Sequence, residues 1–106
     1  MEYKFTKDNY TKEVLESDVP VMIDFYADWC GPCKMMMPIV EALAEEYDGK
    51  IKIGKVNSDE EMELATTFGV RSIPSFFFIK GGKVVDNVVG ALPKEALEEK
   101  LNGLLG

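Results

Sequence analysis

The only two cysteines in this chain of 106 residues are Cys30 and Cys33, separated by Gly31-Pro32 and preceded by Trp29. Residues three apart are neighbours on one face of a helical turn. That spacing can meet the roughly 4.4–6.8 Å Cα separation a disulfide needs. A strand-like apolar run precedes the pair and a helix-like pattern follows it, which places the sulfurs at a helix N-terminus. Unpaired N–H groups and the positive end of the helix dipole lie there, and both favour a thiolate over a thiol. The thiolate is the form that attacks disulfides. The pattern therefore points to thiol–disulfide exchange.

Three duller readings compete with it. A structural crosslink gains little here, because closing so short a loop removes little chain entropy. Structural zinc wants four ligands, usually Cys or His. The chain has no histidine and no third cysteine, so carboxylates would have to fill in, and no metal is expected. Two unrelated buried thiols fit poorly with a Gly-Pro spacer. No bound cofactor is expected either.

Asp24 is the odd residue in the apolar run. Strand alternation puts it in phase with Met22 and Tyr26. A buried carboxylate costs several kcal/mol unless it is paired or neutral. Lys55 is a candidate partner, being in phase with Ile51 and Ile53 and so pointing inward. The alternatives are a purely structural ion pair or a lysine that extends its head to solvent.

The formal charge is −7, from 12 basic and 19 acidic side chains, which argues against nucleic acid or an anionic membrane as the main partner. No apolar run approaches the roughly 18 residues of a membrane helix. The N-terminus is mixed and charged, with no visible signal peptide, so a reducing cytoplasm is the default compartment. The length suits one domain, residues 1–106, and nothing demands more than a monomer.

Strand and helix patterns alternate in the first half. Glu2 to Phe5 is a short strand. Asn9 is placed to cap a first helix carrying Tyr10, Val14 and Leu15. Val19 to Ala27 reads as a central strand buried on both faces. Pro32 suits the first turn of the next helix, which runs to about Tyr47, should kink at Pro38, and ends at Asp48-Gly49. Its apolar stripe is Met36, Val40, Leu43 and Tyr47. Of Met35, Met36 and Met37, the spacing predicts core filling and one exposed contact.

Ile51 to Val56 is a strand. Ser58 and Glu61 have capping-box spacing and open a third helix, with Met62, Ala65 and Phe68 on one face and Gly69 closing it. Ser75 to Lys80 and Lys83 to Val89 form a hairpin around Gly81-Gly82. Pro93 starts a last helix with Leu97, Leu101 and Leu104 buried, and Gly103 should fray its end. The product is an α/β fold, a mixed sheet with helices on both faces. Crossovers make the early strands parallel, and the late pair is antiparallel.

Three segments carry a resemblance to the thioredoxin family, and it spans essentially the whole chain. Asp24-Phe25-Tyr26-Ala27-Asp28-Trp29-Cys30-Gly31-Pro32-Cys33-Lys34 resembles the family's active-site signature. Gly69-Val70-Arg71-Ser72-Ile73-Pro74-Ser75 resembles the segment with its cis-proline, and Val89-Gly90-Ala91 the loop that completes its docking groove. Tyr26 stands where many members carry tryptophan, Ser72 where some carry glycine, and Ser58 where an apolar residue is common.

The resemblance implies a thioredoxin fold, a central mixed five-stranded sheet flanked by four helices. It implies a protein-disulfide reductase that acts on disulfide-containing proteins and is recharged by a thioredoxin reductase. Cys30, at the helix edge nearest solvent, is the expected nucleophile. Cys33, one turn in and shielded, resolves the mixed disulfide. Gly31 lets the chain turn into the helix, and Pro32 stiffens the spacer. Asp24 exchanges a proton with Cys33, tuned by Lys55. A cis bond before Pro74 would hold the Ile73 backbone beside Cys30. Trp29, Ile73, Pro74, Gly90 and Ala91 would form an apolar rim for the target chain, with core packing the alternative for Ile73. An oxidase or isomerase, and an adaptor that only uses the fold, are the other functions such a chain could serve.

Overall fold

The run Val-Met-Ile-Asp-Phe-Tyr has almost no polar face, so it can only be satisfied deep inside a sheet. It forms β2 (Val21–Tyr26), the middle strand of five in the computed structural model, which describes residues 1–106. The others are β1 (Glu2–Lys4), β3 (Lys52–Asn57), β4 (Ser75–Lys80) and β5 (Lys83–Val89). Their order is β1-β3-β2-β4-β5. β1 and β2 both pair with β3 in parallel, whereas β4 runs antiparallel to β2 and to β5. The parallel pairs are the ones joined by helical crossovers, and the antiparallel pair β4–β5 is joined by the tight Gly81-Gly82 turn, as expected.

Helices cover both faces. On one, α1 (Gly31–Glu46) and α3 (Lys94–Leu105) pack on Met22, Ile53, Phe76 and Phe78 through Met36, Val40, Leu43, Leu97, Leu101 and Leu104. On the other, a short π-helical turn (Thr11–Leu15) and α2 (Met62–Thr67) cover Val21, Ile23, Phe25, Phe77 and Ile79. Phe25, Phe68 and Phe77 meet there at centroid distances of 5.0–5.5 Å, a range in which aromatic pairs add to simple burial. Each such buried side chain contributes about 1.5–3 kcal/mol.

Several local expectations are corrected. Asn9 does not cap the first helical turn with its side chain. Its Oδ1 accepts the Thr6 amide and its Nδ2 donates to the Lys4 carbonyl, which ties the loop back to β1 instead. The turn closes through Glu16 N–H to the Thr11 carbonyl, and Leu15 faces out while Val14 is buried. The Ser58–Glu61 capping box does not form. The N-cap of α2 is Glu61, with no side-chain cap bond; Asn57 Oδ1 instead accepts the amides of Asp59 and Glu60 in the turn before the helix, and Ser58 Oγ has no partner. On α2 the buried residue is Leu64, and Met62 is exposed. Met36 fills the core, but Met35 and Met37 are both exposed. Helix α3 runs past Gly103 to Leu105, held by burial of Leu104.

One close approach was not read from the sequence. A Cβ on Gly54 would lie 2.7 Å from the Tyr3 carbonyl oxygen, so β1 can dock on β3 only against glycine.

Candidate active site

β2 ends at Tyr26, and the chain turns through Ala27-Asp28-Trp29 into α1. Cys30 is the N-cap of that helix, with extended backbone, and Pro32 sits in the first turn where its missing N–H is harmless. Cys30 and Cys33 form a disulfide with Cα atoms 5.2 Å apart. The Cys33 amide donates to Cys30 Sγ at 3.2 Å. A helix N-cap normally offers a side-chain oxygen to this amide. Here the sulfur takes its place, so the N–H that would steady a thiolate is already aimed at it.

Cys30 is the more exposed of the two, as expected, but both sulfurs are buried in this disulfide form. Cys30 is 4% exposed and Cys33 2%, because Ala27, Tyr26 and Ile73 pack around the pair. The chain does not need Gly31 to turn into the helix. Its backbone is not left-handed, and a Cβ there would meet nothing within 4 Å.

The residues expected to border the sulfurs divide as follows. The Ile73–Pro74 peptide is cis, and the Ile73 carbonyl oxygen lies 3.9 Å from Cys30 Sγ. Ile73 also packs against the aromatic cluster beneath α2, so it serves the core as well as the site. The Gly90 amide donates to the Pro74 carbonyl at 2.8 Å, which fastens the β5 end to the cis-proline segment. Ala91 follows as an exposed residue. Trp29 is 71% exposed, and its indole N–H donates to Asp59 Oδ2 at 2.9 Å. Asp59 is a functional candidate that sequence reasoning missed. Its only signal was an acidic residue in the loop after β3.

Behind the disulfide a cleft of about 570 Å³ is lined by Tyr26, Ala27, Asp28, Cys33, Lys34, Met37 and Lys55. Cys33, not Cys30, opens into it. Asp24 lies directly across the β2–β3 ladder from Lys55 and across the β2–β4 ladder from Phe76, on the sheet face beneath α1. It is 3% exposed, and its Oδ1 has no hydrogen-bond partner. Burial pushes its carboxyl up to about 7, the nearby Glu2 charge adds to that, and Lys55 opposes it. The expected Asp24–Lys55 ion pair is absent. Lys55 Nζ lies 4.0 Å from Glu2 Oε1 and 5.6 Å from the centre of the Tyr26 ring. Its long stem carries the ammonium towards the β1 edge, where water still reaches it. Buried and without a paired cation, the carboxyl gains and loses its proton close to neutral pH.

A two-cysteine centre at a helix N-cap, on a mixed sheet next to a cis-proline, defines a thiol–disulfide oxidoreductase. The model of the family Thioredoxin matches residues 2–103. The thioredoxin 1 of Nostoc sp. is 52% identical over 96 residues, covering 91% of this chain and 90% of that one. The thioredoxin of Chlorobaculum thiosulfatiphilum is 48% identical over 104 residues, covering 98% and 96%. The chloroplastic M-type thioredoxin of Pisum sativum is 52% identical over 88 residues, covering 83% of this chain and 51% of that one. The chain belongs to the thioredoxin family and carries out dithiol–disulfide exchange, with disulfide substrates on one side and a reductase on the other. No helix is long and apolar enough to cross a membrane.

Proposed function

We propose that residues 1–106 act as one domain and one molecule, reducing protein disulfides through Cys30 and Cys33. The observation that carries this reading is the sulfur N-cap: the Cys33 amide bonded to Cys30 Sγ. In the reduced protein that N–H and the helix dipole favour a Cys30 thiolate. The thiolate attacks one sulfur of a target disulfide. A Cys30–target bond forms, the target S–S bond breaks, and one target thiolate leaves.

Cys33 then loses its proton and attacks Cys30 Sγ. The Cys30–target bond breaks and the second target thiolate departs, taking up a proton. Two electrons have passed to the target, and the Cys30–Cys33 disulfide remains, which is the form described above. Asp24 is the proton acceptor for Cys33. What supports it is a carboxyl titrating near 7 on the sheet face under α1, with Lys55 lining the same cleft as Cys33. Lys55 tunes that carboxyl by its charge. A thioredoxin reductase restores the dithiol by running the exchange in reverse.

Trp29, Ile73, Pro74, Gly90 and Ala91 form the docking rim for an extended target chain, and the Gly31-Pro32 spacer tunes the exchange, Pro32 by stiffening it. Targets are proteins rather than nucleic acid, in keeping with a charge of −7. A reducing, cytoplasmic setting suits a chain whose only cysteines are the exchanging pair. The test is Cys33→Ser. It should hold a disulfide-bearing protein substrate as a stable covalent complex through Cys30, whereas a variant that releases target at the normal rate would rule out Cys33 as the resolving thiol.

A further inference from the structure

Resting on the proton role proposed for Asp24, a second carboxylate acquires a purpose. Glu2 lies in β1, two strands from Asp24, and the sequence offered no reason to single it out. Its register partner is Ile53, so it shares the sheet face of Lys55 and Asp24 beneath α1. Its side chain is only 16% exposed, and its one ion pair is with Lys55 at 4.0 Å. Lys55 has two carboxylates to choose from on this face, and it sides with Glu2 while Asp24 Oδ1 stays unpartnered.

We infer that Glu2 is a positioning residue for the proton step: it holds the Lys55 ammonium on the β1 side of β3 and so keeps Asp24 without a cationic partner. A lysine donating directly to Asp24 would favour its ionised form and make it a weaker proton acceptor. Drawn aside by Glu2, the same lysine acts only at a distance. The direction of the shift at Asp24 agrees, with Glu2 raising it and Lys55 lowering it.

Few other charges complicate this arrangement. From β1 there is also Lys4, which pairs with Glu60 at 3.6 Å. From α1, Glu41 acts on Glu2, and Lys34 lines the cleft with Asp28 and Tyr26 from the loop and strand before it. The N-terminal ammonium also favours the Glu2 carboxylate but is engaged with Glu45 and Asp48 at 3.4 Å each. β4 contributes only Phe76 opposite Asp24.

The experiment is a 13C NMR titration of the Asp24 carboxyl in the oxidised protein, paired with the pH profile of mixed-disulfide resolution. Wild type, Glu2→Gln, Glu2→Asp and Asp24→Asn are compared. Glu2→Gln should move both midpoints down by roughly half to one pH unit, as Lys55 is freed to reach Asp24. Glu2→Asp should restore at least half of the displacement. On a Lys55→Met background the Glu2→Gln shift should fall below half its size. A loss of folding stability alone would leave the midpoints in place. If Asp24→Asn removes the pH limb but Glu2→Gln leaves it unmoved, or the shift persists in full without Lys55, the positioning role is overturned and the proton role stands. If Asp24→Asn leaves the limb intact, the proton role fails and this inference with it.

Discussion

Replacing Asp24 by Asn removes one titrating group from the interior, and its effect on stability should depend on pH in a defined direction. The carboxyl titrates near 3.8 in an ordinary setting and at about 7 in the folded protein, raised first by burial, then by Glu2, with Lys55 opposing. Between those values the folded protein holds a proton that the unfolded chain has released. The folded state binds more protons there, so wild-type stability falls as pH rises through this window. Below it both states are protonated and no penalty exists. Above about 7 the penalty is complete. Three pH units at ~1.36 kcal/mol each give about 4 kcal/mol. Asn cannot ionise, and whatever its buried amide costs is the same at every pH, so it drops out of the slope. Urea unfolding of oxidised wild type and Asp24→Asn in half-unit steps from about pH 4 to 9 reads this directly. The variant should gain on wild type by about 2–4 kcal/mol between the ends, levelling near neutrality. A difference flat within about 0.5 kcal/mol, or one in which wild type gains with pH, would refute a neutral buried carboxyl.

Two further outcomes follow from geometry away from the sulfurs. Gly82 has φ +78°, and a Cβ there would lie 2.9 Å from the Leu15 carbonyl oxygen, so Gly82→Ala should cost about 2–3 kcal/mol in chemical denaturation, the left-handed backbone alone accounting for about 1–2. Asp59→Ala removes the acceptor for the exposed Trp29 indole, so Trp29 fluorescence anisotropy should drop while stability changes by less than about 1 kcal/mol; unchanged anisotropy would show that the bond does not orient the ring.

The long elements were legible because one physical signal dominated each. Val21–Tyr26 had no polar face to expose, and the Leu97, Leu101, Leu104 stripe fixed the buried side of α3. The Gly81-Gly82 turn was readable because the residues adopt φ values of 62° and 78° that others avoid. Short-range polar choices were not. Asn9 and Ser58 both had plausible capping positions, but Asn9 found the Lys4 carbonyl and the Thr6 amide, and Asn57 outcompeted Ser58 for the amides before α2. Such bonds differ by about 1 kcal/mol, and tertiary neighbours decide among them.

The site divided along the same line. Adjacent residues in sequence, Trp29 to Cys33, announced their chemistry. The inward phase of Asp24 and Lys55 was visible from strand alternation, and the structure sets them opposite each other. The partner of Lys55 was not visible, because it depends on β1 docking beside β3, a pairing made possible by Gly54 and invisible to any local pattern. Asp59 likewise reaches Trp29 only through the fold.

The most direct measurement compares two single-cysteine proteins, Cys33→Ser and Cys30→Ser, each reduced and mixed near pH 7 with the same disulfide-bearing protein. The rate of covalent complex formation is followed by mass spectrometry. Cys33→Ser, with Cys30 as its sole thiol, should react at least about tenfold faster, since only Cys30 has the N-cap environment that favours a thiolate. Equal rates, or faster reaction through Cys33, would contradict the assignment of Cys30 as the attacking sulfur.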